Sequence, residues 1–248
     1  MKKIFVLLFL LFFITPCFSE EQSNYFGLGV MVSKKPYKDI DTTIMPIPII
    51  SWESQDKRFF IEGKDIGYKI LRYQDLTIET ILSPRFMGYD DKDADILDGM
   101  KDRKMSLDAG LKIIWDIPDS ADTSLSLGVL ADTLSVYQGV EIEAALSKKF
   151  KGQIFILKPQ LGLRWQSKNL TDYYYGIRSS ESTGNRPMYT PDDTCNYFSD
   201  LSFYLGIHKD WVLTTMLGYE YLGREITDSP LLGKKYQLTA MLGVIRKF

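Results

Sequence analysis

The stretch "KMSLDAGLKIIWDI", residues 104–117, reads in two registers. One parity is Met105, Leu107, Ala109, Leu111, Ile113 and Trp115; the other is Ser106, Asp108, Gly110, Lys112, Ile114 and Asp116. A repeat of two is the side-chain period of a β-strand, so this segment is a strand with one apolar and one largely polar face. The same split returns in "QIFILKPQLGLRWQ", residues 153–166, where Phe155, Leu157, Pro159, Leu161, Leu163 and Trp165 oppose Lys158, Gln160, Gly162, Arg164 and Gln166. Near the start, Phe26, Leu28, Val30 and Val32 oppose Gly27, Gly29 and Met31.

Two architectures use such strands: a water-soluble sandwich or barrel with the apolar face inward, and an outer-membrane barrel with that face toward lipid. Strand length favours the second, because several segments reach the roughly ten residues that a tilted membrane strand requires. Trp52, Trp115, Trp165 and Trp211 fall at or near predicted strand ends, where an interfacial girdle places them. The last segment, "KKYQLTAMLGVIRKF", alternates through Tyr236, Leu238, Ala240, Leu242 and Val244 and closes on Phe248. Barrels inserted by the bacterial outer-membrane barrel-assembly machinery typically end on such an aromatic. Arg246 stands where another aromatic is usual and is expected to snorkel to the interface.

The expected fold is therefore all-β, an antiparallel transmembrane β-barrel of the bacterial outer membrane in contact with its lipid and lipopolysaccharide. Strands are predicted near 24–33, 43–53, 75–88, 104–117, 122–133, 139–150, 153–166, 196–208, 211–222 and 235–248. The stretch "RFFIEGKDIGYKILR" decides the count. Split at residues 63–65 it adds two short strands and gives twelve, an even number that returns both termini to one side. Ten is the alternative, if one segment lies outside the wall.

Ahead of the barrel, "MKKIFVLLFLLFFITPCFSEEQ" has the parts of a secretory signal: Lys2 and Lys3, an apolar run, then small or helix-breaking residues. Cleavage after Ser19 leaves residues 20–248 as one barrel domain. Pro16 disfavours lipid attachment at Cys17, and the remaining Cys195 cannot build a disulfide framework. The formal net charge of −2 leaves no basic footprint for nucleic acid.

Barrel hydrolases need a histidine beside a serine or a carboxylate. The single histidine, His208, sits beside the short "HKD" turn and reads as a solvated turn residue. One Cys and one His far apart make no closed zinc site, and the acidic run "YDDKDAD" lacks calcium-loop spacing. No phosphate-binding loop follows a strand. No catalytic, cofactor or metal residue is assigned. Strand parity instead points Asp108, Lys112, Asp116, Glu141, Glu143, Lys158, Arg164, Asp200 and Glu220 into the lumen. Whether they pair and plug the bore or line a pore depends on register.

Several segments resemble the MipA/OmpV family, the MltA-interacting outer-membrane proteins. "DYYYGIRSSESTGNRPMY" is similar to its Tyr-Tyr-Gly-Val, Glu, Pro-x-Tyr signature, here Tyr173, Tyr174, Tyr175, Gly176, Glu181, Pro187 and Tyr189. "REITDSPLLGKKYQLTAMLGV" resembles the Asp-Ser-Pro segment, Asp228, Ser229 and Pro230, with its closing strand, and "LDGMKDRKMSLDAGL" resembles a third family segment. The resemblance implies a non-enzymatic scaffold linking a lytic transglycosylase and a bifunctional murein synthase to the outer membrane. A small-solute channel or a surface-exposed adhesin is the alternative.

The loop "TDYYYGIRSSESTGNRPMYTPDDT", residues 171–194, is long, while "KKFKGQ" and "HKDW" are tight, so the loop is expected on the outer face. Two arrangements remain open for its tyrosines: rings folded over the barrel mouth, or an interfacial belt with Tyr173 and Tyr175 on one strand face and Tyr174 on the other. A lid is expected in which the Asp228–Ser229–Pro230 corner packs on residues 173–176.

Overall fold

The computed structural model describes residues 24–40 and 42–248; the expected signal segment, residues 1–19, lies outside the described residues. The wall strands are β1 Tyr25–Lys34, β2 Thr43–Glu53, β3 Phe59–Glu62, β4 Asp65–Tyr73, β5 Leu76–Arg85 and β6 Ser106–Asp116, followed by β7 Thr123–Asp132 and β8 Val140–Lys148. After Lys149 the short piece Phe150–Lys151 carries β8 onward. Then come β9 Phe155–Gln166, β10 Thr194–His208, β11 Trp211–Tyr221 and β12 Tyr236–Lys247. Each strand pairs antiparallel with the next, and β12 closes on β1 from Tyr25↔Lys247 to Lys34↔Leu238, giving a closed barrel of twelve strands.

The ambiguous stretch does split. β3 and β4 meet at a turn where Gly63 adopts φ +62. The segment expected as a strand over 75–88 stops at Arg85, and β10 begins two residues earlier than expected, at Thr194.

The apolar parity faces outward. Leu28, Leu111, Leu161, Leu217 and Leu242 are among the exposed large hydrophobics, and their neighbours of opposite parity turn into the bore. An apolar belt continuous around a closed barrel is a lipid-facing surface, because water would not tolerate one of this extent. Leu111→Arg places a charge in that belt and is expected to cost about 2–4 kcal/mol of assembly. Lys112→Gln, on the lumen side, is expected to leave heat-modifiable gel mobility unchanged. Equal effects at both positions would contradict the facing.

The termini and the short connections, residues 54–58, 74–75, 117–122 and 209–210, share one end; this is the periplasmic rim. The long connections, 35–42, 86–105, 133–139, 167–193 and 222–235, share the other end. Trp52, Trp115 and Trp211 lie at the periplasmic rim and Trp165 at the outer one. Arg246 pairs across the ladder with Trp211, its guanidinium 5.8 Å from the ring centroid, which satisfies the charge at the interface.

Candidate functional site

The segment expected as an irregular loop is folded. Residues Lys168–Tyr175 form helix α1, so Tyr173, Tyr174 and Tyr175 are on a helix and not on a strand, which corrects the alternating-face reading. Leu170, Thr171, Tyr174 and Tyr175 are buried, one helical stripe at i, i+1, i+4, i+5. Tyr173 stays half-buried, its hydroxyl accepting the Lys104 N–H at 2.9 Å. Gly176 ends the helix where a Cβ would come within 2.4 Å of the Asp172 carbonyl, so no larger residue fits.

The helix is the centre of a second hydrophobic core, outside the barrel, to which all five long outer loops contribute. Tyr37, Tyr89, Leu97, Tyr137, Tyr174, Tyr175, Ile177, Leu222 and Ile226 are among its members. Tyr37 stacks on Tyr175 at 5.7 Å and meets Tyr89 edge-on at 5.1 Å, arrangements that favour aromatic pairs beyond their area. The corner packs here through Ser229, whose buried hydroxyl donates to the Tyr175 carbonyl at 2.7 Å. Asp228 turns away to an exposed pair with Arg224, and the Pro230 carbonyl accepts from Lys38 at 2.8 Å. Tyr189 donates to the Glu225 carbonyl at 2.8 Å, while Pro187 is exposed on the lid surface. Phe248 lies at the opposite end, its N–H donating to the Asn24 carbonyl at 3.0 Å.

One ion pair ties the two longest loops together. Arg103 donates from Nη1 and Nη2 to the two Glu181 carboxylate oxygens at 3.1 and 3.0 Å, and both side chains are buried. The carboxylate also accepts the backbone N–H groups of Lys101 and Arg178, each at 3.0 Å. The guanidinium lies between the Tyr89 and Tyr173 rings, 5.8 and 5.7 Å from their centroids. Arg186, also buried, donates through Nη2 to the Glu181 carbonyl at 2.7 Å. Gly99, at φ +77, makes the preceding turn in the left-handed region that favours glycine. The Arg103–Glu181 pair was not legible in the chain, although both residues fall within segments quoted above for the family resemblance.

Burial by itself raises the Glu181 pKa, but the Arg103 guanidinium and the two backbone N–H donors outweigh it and hold the carboxyl at about 2. Burial pushes the Tyr89 phenol up to about 12. A carboxyl depressed in the folded state contributes stability above its unfolded pKa of about 4.3, and that stability is lost as pH falls toward its folded value. Pepsin cleavage of the lid, normalised to an unfolded substrate, should therefore accelerate as pH drops from about 4.5 to 2. Glu181→Gln should be cut at a rate nearly independent of pH over that window. A parent lid equally resistant across the window would contradict the latch.

Below the lid the bore is barred by charge. Arg164 on β9 donates to Glu143 on β8 at 2.7 Å and to Glu220 on β11 at 2.7 Å, and lies 3.6 Å from Glu141. Arg85 on β5 pairs with Asp108 at 2.7 Å and Glu141 at 3.0 Å. Gln166 and Asn196 add bonds to Glu141 and Glu220, and the Tyr137 hydroxyl bonds to Asp108 at 2.7 Å. Of the lumen residues expected, the structure joins Asp108, Glu141, Glu143, Arg164 and Glu220 in this network. Lys112 and Lys158 are half-buried in the bore, Asp200 lies beside the network within the electrostatic reach of Arg164, Glu143 and Glu220, Asp116 is exposed at the rim, and His208 is exposed beside its turn. Arg85 was not identified from the sequence, because "LTIETILSPR" mixes apolar and polar residues on both parities. Phe198 lies at the level of the bar, its ring centroid 4.7 Å from the Arg164 guanidinium, while Phe60, Val212 and Ile245 are buried nearer the periplasmic end, apolar side chains that a charge-based reading does not reveal. A cavity of about 1070 Å³ runs from beneath the lid, at Tyr37, Tyr89 and Tyr175, past the bar to Lys112, Ser126 and Gln160.

A closed twelve-strand barrel with an outward apolar belt, short turns beside its termini and long loops at the far end is an outer-membrane β-barrel protein. Residues 26–248 match the family model described as MltA-interacting protein MipA, and the chain belongs to that family. The MltA-interacting protein of Escherichia coli (strain K12) is 29% identical over 226 residues, covering 90% of this chain and 89% of that one. The putative outer membrane protein YiaT of the same strain is 27% identical over 244 residues, covering 98% and 97%. The outer membrane protein OmpV of Vibrio cholerae is 25% identical over 215 residues, covering 85% and 80%. The protein resides in the outer membrane.

Proposed function

We propose that this protein is a non-enzymatic scaffold of the outer membrane, a closed barrel that holds a lytic transglycosylase and a bifunctional murein synthase at its periplasmic rim. The observation that carries this reading is the bar across the bore: Arg164 on β9, bonded to Glu143 of adjacent β8 on one side and to Glu220 of β11, beyond β10, on the other, narrows the aqueous path. The name of the Escherichia coli relative, an MltA-interacting protein, supports the partner class. The family-motif residues then serve the outer mouth, with Tyr174, Tyr175, Gly176, Glu181 and Ser229 building the lid that shuts it. The docking surface is the rim of short turns, where Asp56, Arg58, Asp122, Lys149 and Asp210 present both signs of charge.

Crosslinking in intact cells followed by co-purification tests this. A murein hydrolase or synthase is expected above the level recovered with an unrelated barrel of similar abundance. Recovery at background level would remove the scaffold role. A small-solute channel is the second reading, favoured by the cavity under the lid. Planar-bilayer recording separates the two, because a scaffold with a barred bore gives no steady openings.

A further inference from the structure

The barrel wall has a gap. Strand β3 is four residues long and meets β2 only at Ser51↔Glu62, Trp52↔Ile61 and Glu53↔Phe60. Just above, the Gly63 N–H donates to the Ile50 carbonyl at 2.9 Å, and there the pairing ends. The outer part of β2, residues 43–49, has β1 along one edge and no strand along the other. On the far side β5 pairs with β4 no further than Leu82↔Ile66, although β5 continues to Arg85 against β6. The result is a window in the outer half of the wall, with the β3–β4 turn as its sill. The Lys35 ammonium closes the top by donating to the Gly88 carbonyl at 2.8 Å.

The open edge is built to stay open. Ile50 turns its carbonyl toward the window, so Pro46 and Pro48, on the same parity, are the residues whose N–H groups would face it. Proline has none, and an incoming strand would find those donors missing. Behind the window lies the cavity of about 1070 Å³, lined by Met45, Lys64, Ser83, Phe86 and Gly88 among others.

Its chemistry points to a ligand with two ends. Lys64, on the sill, donates to Ser83 Oγ at 2.8 Å and the Pro84 carbonyl at 3.3 Å, and forms no ion pair among the described residues. The ammonium lines the cavity beside the Asp65 and Glu141 carboxylates and the Arg85 and Arg164 guanidiniums, and without a direct ion pair of its own it favours an anionic partner. Deeper in the same cavity, Tyr89 Oη and Gln166 Oε1 have no protein partner although each residue is only 3% exposed, and Asp65 Oδ1 is likewise unpartnered. Buried polar atoms of this kind favour a ligand that supplies hydrogen bonds. Outside the window, Ile44 is 68% exposed and Pro46 and Pro48 are exposed beside it, an apolar surface for acyl chains.

We infer that the window is a lateral portal and that it binds an outer-leaflet amphiphile with a phosphorylated, hydroxyl-bearing headgroup. The phosphate meets the Lys64 ammonium, headgroup hydroxyls donate to Gln166 Oε1 and Asp65 Oδ1, and the acyl chains remain in the bilayer along the β2 edge. The cavity is large enough to take such a headgroup.

The test uses the full barrel in phosphatidylcholine vesicles containing phosphatidylglycerol with a photoactivatable diazirine on its acyl chain. Adducts are expected on residues 44–48 and 86–88, competed by unlabelled phosphatidylglycerol and not by chain-free glycerophosphoglycerol. Lys64→Gln should lower the adduct yield at those residues by about fivefold or more, as loss of a charged phosphate contact implies. Met45→Trp, which fills the cavity behind the window, should lower it similarly with heat-modifiable mobility retained. Adducts spread evenly around the belt, equal capture of a phosphatidylcholine probe, or an unchanged yield in Lys64→Gln would each overturn the proposal. Competition by the chain-free headgroup would identify a soluble ligand instead and overturn the lipid source.

Discussion

Glu181→Ala is expected to unlatch the lid while leaving the barrel assembled. In the parent the carboxylate takes two bonds from the Arg103 guanidinium and two from backbone N–H groups, all within a buried cluster. Removing it leaves a buried guanidinium without its counter-charge, which costs on the order of 3–5 kcal/mol. That cost falls on local opening of the outer loops, since neither residue belongs to a wall strand. Cleavage through the open state should follow its population, so chymotryptic cutting after Tyr174 and Tyr175 in intact cells should rise by roughly a hundredfold or more. Trypsin is a poor reporter at Arg186, which Pro187 follows. Arg103→Met with Glu181→Leu removes both charges and should recover much of the protection, because a buried pair replaced by apolar groups of similar size is often neutral. If Glu181→Ala is cut no faster than the parent, the ion pair does not hold the lid.

The second large effect is expected at the bar. Arg164→Met removes the cation that Glu143 and Glu220 share and leaves Arg85 as the one ion-pair partner of Glu141 among the described residues, beside the Gln166 amide. Unpaired carboxylates in a confined bore destabilise it by roughly 3–5 kcal/mol, read as a lower urea midpoint for the refolded barrel. The same change removes the side chain that blocks the bore and exposes negative charge. Combined with Glu181→Ala, which unlatches the lid, it should give cation-selective openings in planar-bilayer recording that Glu181→Ala alone does not. Lys158→Gln, on the same strand parity but outside the network, should change neither property. A double variant that stays silent, with Arg164→Met as stable as the parent, would show that Arg164 neither closes the bore nor holds it together.

The two closures act at different depths and are built from different chemistry. The lid is an aromatic core pinned by one buried ion pair, whereas the bar is a chain of charge-assisted hydrogen bonds running from β5 to β11. Glu141 joins the two arginines of the bar, and Tyr137 links the bar to the lid, bonding Asp108 with its hydroxyl while its ring lies 6.0 Å from Tyr174. Loosening the lid should therefore be felt at the bar through Tyr137, and the Glu181→Ala protein gives a way to measure it in the same bilayer recording. The portal lies below the lid and beside the bar, so its ligand reaches the cavity without either closure opening.

The sequence by itself determined the wall. Alternation along residues 104–117 or 153–166 is a property of neighbouring residues, fixed by the pleat of an extended chain, and it assigned the lipid and lumen faces before any pairing was known. The division at residues 63–65 followed from the even strand count that such a barrel requires, and Gly63 makes the turn there at φ +62. The tyrosine segment was misread because its helical stripe, Leu170–Thr171–Tyr174–Tyr175, spans too few residues to outweigh the strand-like run around it. What only the tertiary structure decided were the partners. Arg103 and Glu181 lie 78 positions apart, Arg164 and Glu220 56 positions apart, and the window depends on β3 being shorter than β2. Such meetings are set by register, strand length and closure of the barrel, which bring distant side chains to one level of the bore and are written in no local pattern of the chain.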